Sequence, residues 1–178
     1  HCLPWALNFE KEKTMSLNIL EEIAKYIVSD GKGILAADES NPTCGKRFDS
    51  IGVESTEINR RDYREMLFRA SGMQDNIGGV ILFDETIRQS AEDGTPLVEL
   101  IKSQGALPGI KVDKGLAPLE SSPEETVTQG LDGLDERCKE YVLLGAKFTK
   151  WRAVIKISES LPTDECIEAN MQALAKYA

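Results

Sequence analysis

Asp38, Ser40, Lys46, Arg47, Lys111, Lys150 and Arg152 are the residues whose types and spacing could do chemistry together. Lys150 and Arg152 stand two positions apart in a run of β-branched and aromatic residues, Gly145 to Ile157. If that run is a strand, both side chains leave the same face roughly 6.5–7 Å apart, close enough to touch one anionic ligand. By the same rule Ala36, Asp38 and Ser40 share a face, as do Lys111 and Asp113. Asp38 could orient a substrate hydroxyl or move a proton. Lys46 and Arg47 are placed like phosphate clamps, arginine as a bidentate fork and lysine as a point charge. A lysine stripped of water among other cations turns neutral more readily and then serves as nucleophile or base; Asp38 and Asp113 would counter this. The residues alone describe a site for an anionic, phosphorylated small molecule, worked by Lys and Asp.

Other chemistries are removed by composition. The single histidine is His1, which leaves no His-ligated metal, no histidine base and no Ser-His-Asp triad. Four cysteines, Cys2, Cys44, Cys138 and Cys166, lie far apart and suit reduced thiols rather than a zinc site. A net charge of -9 argues against nucleic acid and anionic membrane surfaces, which need a basic field. No apolar run approaches the roughly 18 residues of a membrane span. Gly-x-Gly-x-x-Gly and Gly-x-x-x-x-Gly-Lys-Ser signatures are absent, so a nucleotide-binding doubly wound sheet has no support.

The elements that must position these residues alternate along the chain. Residues 1–14 do not resemble the rest of the chain and read as a flexible leader or non-native extension, with Met15 as a natural start and one domain over 15–178. Ser16 caps a predicted helix to about Asp30. Predicted strands run over Ile34–Ser40, Gly78–Thr86, Leu107–Gly115 and Gly145–Ile157. Asn41–Gly45 reads as a loop, after which Lys46 and Arg47 open a short helical stretch ending near Gly52. Further helices are expected at Arg60–Ala70, Pro96–Gln104 and Asp132–Leu144, with a last one capped by Thr163. Pro118–Gly130, rich in Ser, Glu and Thr, reads as a polar loop. Strands alternating with helices of this length mean βαβ units and a parallel sheet. One charged strand end would be a solvated edge. Here all four strands are apolar until their C-terminal ends and then carry charge, which is where β/α barrels hold their chemistry.

Five runs carry a resemblance: Gly31-Lys-Gly-Ile-Leu-Ala-Ala-Asp-Glu-Ser40, Gly79-Val-Ile-Leu-Phe83, Gly109-Ile-Lys-Val-Asp-Lys-Gly115, Thr128-Gln-Gly-Leu-Asp-Gly-Leu134 and Lys150-Trp-Arg152. Asn59-Arg-Arg61 with Tyr63-Arg64 adds to them. From about Leu17 to Ala178 the chain resembles, in order, the amino-terminal half of class I fructose-1,6-bisphosphate aldolase. The resemblance implies an α/β fold of the (β/α)8 TIM-barrel family, with about the first four β/α units present. It implies reversible, metal-independent cleavage of fructose 1,6-bisphosphate to dihydroxyacetone phosphate and glyceraldehyde 3-phosphate through a lysine Schiff base, in glycolysis and gluconeogenesis. No cofactor is implied. At matching positions Asp38 would assist carbinolamine and proton steps, and Lys150 would stabilise charge at the bond being cleaved. Ser40, Lys46, Arg47, Lys111 and Arg152 would bind phosphates or position the sugar. Asn41-Pro-Thr43 departs from a common Thr-Gly-Ser-like run, so the resemblance assigns Thr43 no phosphate contact.

None of the lysines here matches the motif of the family's Schiff-base nucleophile. The resemblance therefore implies that these residues, taken alone, are inactive and poorly folded, because an unclosed parallel sheet has bare edges. It also implies a homotetramer for the complete protein and a cytoplasmic location, with an organelle such as a plastid left open. Two rival functions stand beside this one. One is a truncated, non-catalytic binding protein of the same family; the other is a different Schiff-base sugar-phosphate lyase.

Overall fold

The computed structural model describes residues 18–178. The expected leader, 1–14, and the expected cap at Ser16 lie outside the described residues. Helix α1 covers 18–26 and passes into a 3-10 turn at Ser29–Gly31. Then follow β1 (Gly33–Ala37), α2 (Asn41–Asp49), α3 (Glu57–Phe68), α4 (Met73–Asn76) and β2 (Ile77–Leu82). Next come α5 (Asp84–Ile87), α6 (Leu97–Ser103), β3 (Leu107–Lys111), β4 (Leu116–Pro118) and β5 (Thr126–Thr128). The chain finishes with α7 (Leu134–Leu143), β6 (Phe148–Lys150) and α8 (Asp164–Tyr177).

Four strands form a parallel sheet in the order β1-β2-β3-β6, each pairing with the next parallel strand of the chain. The outer face is the apolar core. Val80, Leu82, Ile110 and Val112 pack there with Phe68 of α3 and with Leu97 and Ile101 of α6, all fully buried. Each such side chain contributes roughly 1.5–3 kcal/mol. The periodicity of α6 is why it lies on the sheet: Leu97, Leu100 and Ile101 fall at i, i+3 and i+4.

The inner face is organised differently. Gly79 and Gly109 are diagonal neighbours on adjacent strands, two register positions apart, and Phe148 pairs with Gly109. The Phe148 ring lies over both glycines: a Cβ on Gly79 would stand 3.1 Å from the ring, and one on Gly109 2.7 Å from its Cε1. At the N-terminal end of the sheet, α1 closes against the strands. The Tyr26 hydroxyl donates to the Gly105 carbonyl at 2.7 Å, and the Ile27 backbone sits directly on Gly78.

Four expectations need correction. The first three strands end earlier than expected, at Ala37, Leu82 and Lys111, and Asp84 to Thr86 belong to α5. The stretch Asn41–Gly45 is the first part of α2, not a loop, so Lys46 and Arg47 fall in its last turn. Pro42 sits at the helix start, where its missing N–H has no partner to lose. The supposed loop Pro118–Gly130 carries half of a two-stranded antiparallel hairpin, β4 with β5. The fourth strand ends at Lys150; residues 151–157 are irregular, and Ile155 and Ile157 are exposed.

Candidate active site

A cleft of about 890 Å³ opens at the C-terminal ends of the parallel strands. Asp38 and Ser40 follow β1, Phe83 follows β2, Lys111 ends β3 with Asp113 just beyond it, and Lys150 ends β6 with Arg152 just beyond it; all seven line it. Six cationic and five acidic side chains line the cleft, in a chain whose net charge is -9. The cleft therefore runs against the charge of the molecule around it, which favours an anionic ligand there.

The strand ladder sets the spacing. Lys111 and Lys150 are register partners on β3 and β6, and the Val112 N–H donates to the Lys150 carbonyl at 3.1 Å, extending the ladder one bond further. Two ammonium groups directly opposite each other repel. Each has its own carboxylate: Lys150 Nζ meets Asp38 Oδ2 at 2.7 Å, and Lys111 Nζ meets Asp113 Oδ1 at 2.6 Å. The first pair joins the first strand to the fourth across the inner face. Arg152 is exposed and has no ion-pair partner among the described residues; its carbonyl accepts from Thr128 Oγ1 at 2.6 Å. That bond puts the hairpin to use, because β5 steadies the backbone that carries Arg152.

Ser40 is the N-cap of α2, and its Oγ lies 3.1 Å from Thr43 Oγ1, so two hydroxyls sit together on the cleft wall. Lys46 and Arg47 are not brought to this place. Lys46 is exposed and does not line the cleft; Arg47 pairs with Glu39 and donates to the Tyr63 hydroxyl at 3.1 Å. The Glu39 charge, with the Tyr63 hydrogen bond, holds the Arg47 guanidinium above its usual range.

Asp84 is one of the charges expected at the C-terminal end of the second strand, but its partners in the cleft carry no sequence signal of their own. Arg88 and Asp84 of the α5 region meet Glu140 and Tyr141 of α7: Arg88 pairs with Asp84 at 3.0 Å and with Glu140 at 2.5 Å, and the Tyr141 hydroxyl donates to Asp84 at 2.8 Å. Burial pushes the Asp84 carboxyl up, but the bonds from Arg88 and Tyr141 outweigh it and hold the group low. Burial and the bond to Asp84 push the Tyr141 hydroxyl up. Arg137 donates to the carbonyls of Val112 and Gly130, so it braces the turn beside Asp113.

A further ion pair joins α3 to α5 and also takes a bond from the start of α2. Arg60 donates from Nε and Nη2 to the two Glu85 oxygens, each at 2.7 Å, and Asn41 Nδ2 adds a bond at 3.2 Å. The Arg60 bond, against burial, holds the Glu85 carboxyl below the usual carboxylate range. A carboxyl lowered on folding stabilises the folded state above its unfolded pKa, and that contribution is lost as pH falls through the folded value. Glu85→Gln is therefore expected to cost about 2 kcal/mol at neutral pH in urea unfolding, with the gap to the parent closing below about pH 4.3. A gap that stays constant down to acid would show that the charge is not what matters.

The model for glycolytic class I fructose-bisphosphate aldolase matches residues 19–178. The chain belongs to the class I fructose-bisphosphate aldolases. It is 56% identical over 164 residues to a probable fructose-bisphosphate aldolase class 1 of Xanthomonas axonopodis pv. citri, covering 92% of this chain and 49% of that protein. It is 57% identical over 160 residues to fructose-bisphosphate aldolase C-A of Danio rerio, covering 89% and 44%. Against the solved fructose-bisphosphate aldolase of Plasmodium falciparum, crystallised with TRAP and a small-molecule inhibitor, the TM-score is 0.88 at 50% identity, covering 90% of this chain and 47% of the other. The chain thus spans about half the length of the aldolases it matches. Its fold is α/β of the (β/α)8 barrel family, with four β/α units in these residues. No helix among the described residues is long and apolar enough to cross a membrane.

Proposed function

We propose that this cleft is the amino-terminal part of an aldolase active site that reversibly cleaves fructose 1,6-bisphosphate to dihydroxyacetone phosphate and glyceraldehyde 3-phosphate. The observation that carries the reading is the Lys150–Asp38 pair, held 2.7 Å apart by the ends of two different strands. Cleaving a carbon–carbon bond beside a carbonyl develops negative charge on oxygen and carbon, and a fixed ammonium beside a carboxylate can meet both the charge and the proton. Lys150 stabilises the developing charge. Asp38 takes and returns protons at the carbonyl oxygen, as the carbinolamine forms and loses water, and at the hydroxyl. Lys111, Arg152, Ser40 and the neighbouring Thr43 face the phosphorylated ends; Lys46 and Arg47 stand outside the cleft and act only through their charge. The nucleophile that forms the Schiff base is not among the described residues. The enzyme works in glycolysis and gluconeogenesis, in the cytoplasm, as a homotetramer, without metal.

Borohydride trapping with dihydroxyacetone phosphate, read by intact mass, tests the reading. Protein expressed from the complete gene should gain one reduced adduct, and the 178-residue chain should gain none. An adduct on Lys150 or Lys111 of the 178-residue chain would mean that these residues hold a nucleophile of their own. No adduct on either, with substrate still bound, would leave a non-catalytic binding protein.

A further inference from the structure

Arg64 is 2% exposed, on the face of α3 that also buries Phe68. A buried guanidinium is costly unless its donors are matched, and an apolar residue of the same size would fill this place without that cost. All of the matched donors go to one segment. Nε donates to the Ala37 carbonyl at 2.8 Å and Nη2 to the Glu39 carbonyl at 2.9 Å. Nη1 meets Cys44 Sγ at 3.3 Å, and the Glu39 carboxylate balances the charge at 3.0 Å.

Asp38 lies between the two carbonyls. β1 ends at Ala37, where its ladder to β2 stops, so the next residues have no strand partner to fix them. In an extended segment the carbonyls of residues i and i+2 point to the same side, and the planar fork of an arginine can hold both. The fork thereby replaces the missing ladder at the one place where the inner-face side chain is a carboxylate paired to Lys150.

We propose that Arg64 is a positioning residue for the aldol reaction, fixing the backbone on both sides of Asp38 and so aiming its carboxylate at Lys150. The same fork, through Glu39 and Cys44, steadies the approach to Ser40 and Thr43. This rests on the aldolase reading above. Lysine at 64 keeps the charge but can hold only one of the two carbonyls; methionine keeps the bulk and holds neither.

The test uses protein expressed from the complete gene. Arg64→Lys should lower kcat for fructose 1,6-bisphosphate cleavage roughly tenfold to a hundredfold, the scale on which a small misplacement of a reacting group acts. KM should move much less than kcat, since Lys111 and Arg152, the cations that face the phosphates, are held by Asp113 and Thr128 rather than by Arg64. In an Asp38→Asn background the same change should cost almost nothing more, because the group it aims is gone. Arg64→Met should be worse than Arg64→Lys in kcat; if it does not fold, Arg64→Lys and the double variant decide. Unchanged kcat in folded Arg64→Lys, or a full additional loss in the Asp38→Asn background, would overturn the inference. A parent protein that does not cleave the sugar at all would instead sink the aldolase reading.

Discussion

Lys150→Met is expected to lower kcat for fructose 1,6-bisphosphate cleavage by roughly a thousandfold, the upper range for losing one preorganised charge-stabilising group. The expectation follows from how the ammonium is held. β6 is only three residues long, yet Lys150 is its last ladder residue, paired in register with Lys111 and bonded through its carbonyl to Val112. Its side chain therefore starts from a rigid strand and ends on Asp38, with no flexible loop between. Methionine keeps the stem and removes the charge, leaving the Asp38 carboxylate unpaired at 12% side-chain exposure. Steady-state kinetics of protein from the complete gene checks this, with urea unfolding to separate the chemical loss from a loss of folded protein. A variant that keeps its kcat would remove Lys150 from the reaction and leave it as a strand-end cation.

The second large effect concerns folding. Gly78→Ala is expected to destabilise the protein by about 3 kcal/mol, the upper part of the range for overpacking. A Cβ there would stand 2.7 Å from the Ile27 carbonyl carbon and 2.9 Å from its Cα, nearer still to the oxygen. These are backbone atoms at the end of α1, so no rotamer change can make room. The whole helix would have to lift from the strand ends, breaking the Tyr26 bond to Gly105 with it. Gly33→Ala, on the adjoining strand where nothing lies within 4 Å, is the control and should shift the thermal midpoint little. Equal shifts from the two substitutions would show that α1 is not firmly seated on β2.

Much of this was legible because the strands announce themselves. Apolar runs broken by glycine, alternating with helices whose apolar residues recur at i, i+3 and i+4, admit few arrangements other than a parallel sheet. Charges confined to the strand ends then place Asp38, Lys111, Lys150 and Arg152 on one rim without any knowledge of the fold's interior. What escaped was of two kinds. Local signals misled where an element was short or its punctuation ambiguous: Asn41-Pro-Thr-Cys-Gly45 has the composition of a loop, but its proline stands where helices accept one. β4 and β5 have three residues each, too few for alternation to show. Likewise Ile155 and Ile157 have strand-forming side chains but no strand beside them among the described residues. Long-range partners were the other gap. Arg64 and Arg137 reach the site from helices, and helical spacing alone does not say which arginine is turned inward. For Arg64 there was a usable hint, since it stands three and four positions before Leu67 and Phe68, the apolar pair that ends α3.

Phe148 has a consequence for how this sequence can vary. Its ring occupies the space above two neighbouring strands, because Gly79 and Gly109 have no side chains to occupy it. A larger residue at 109 forces the ring aside, and a smaller residue at 148 leaves two strands uncovered on the inner face. Positions 79, 109 and 148 thus behave as one inherited unit: a substitution that looks conservative at any one of them is a change of packing at all three, and it is expected to persist only with a compensating change at another.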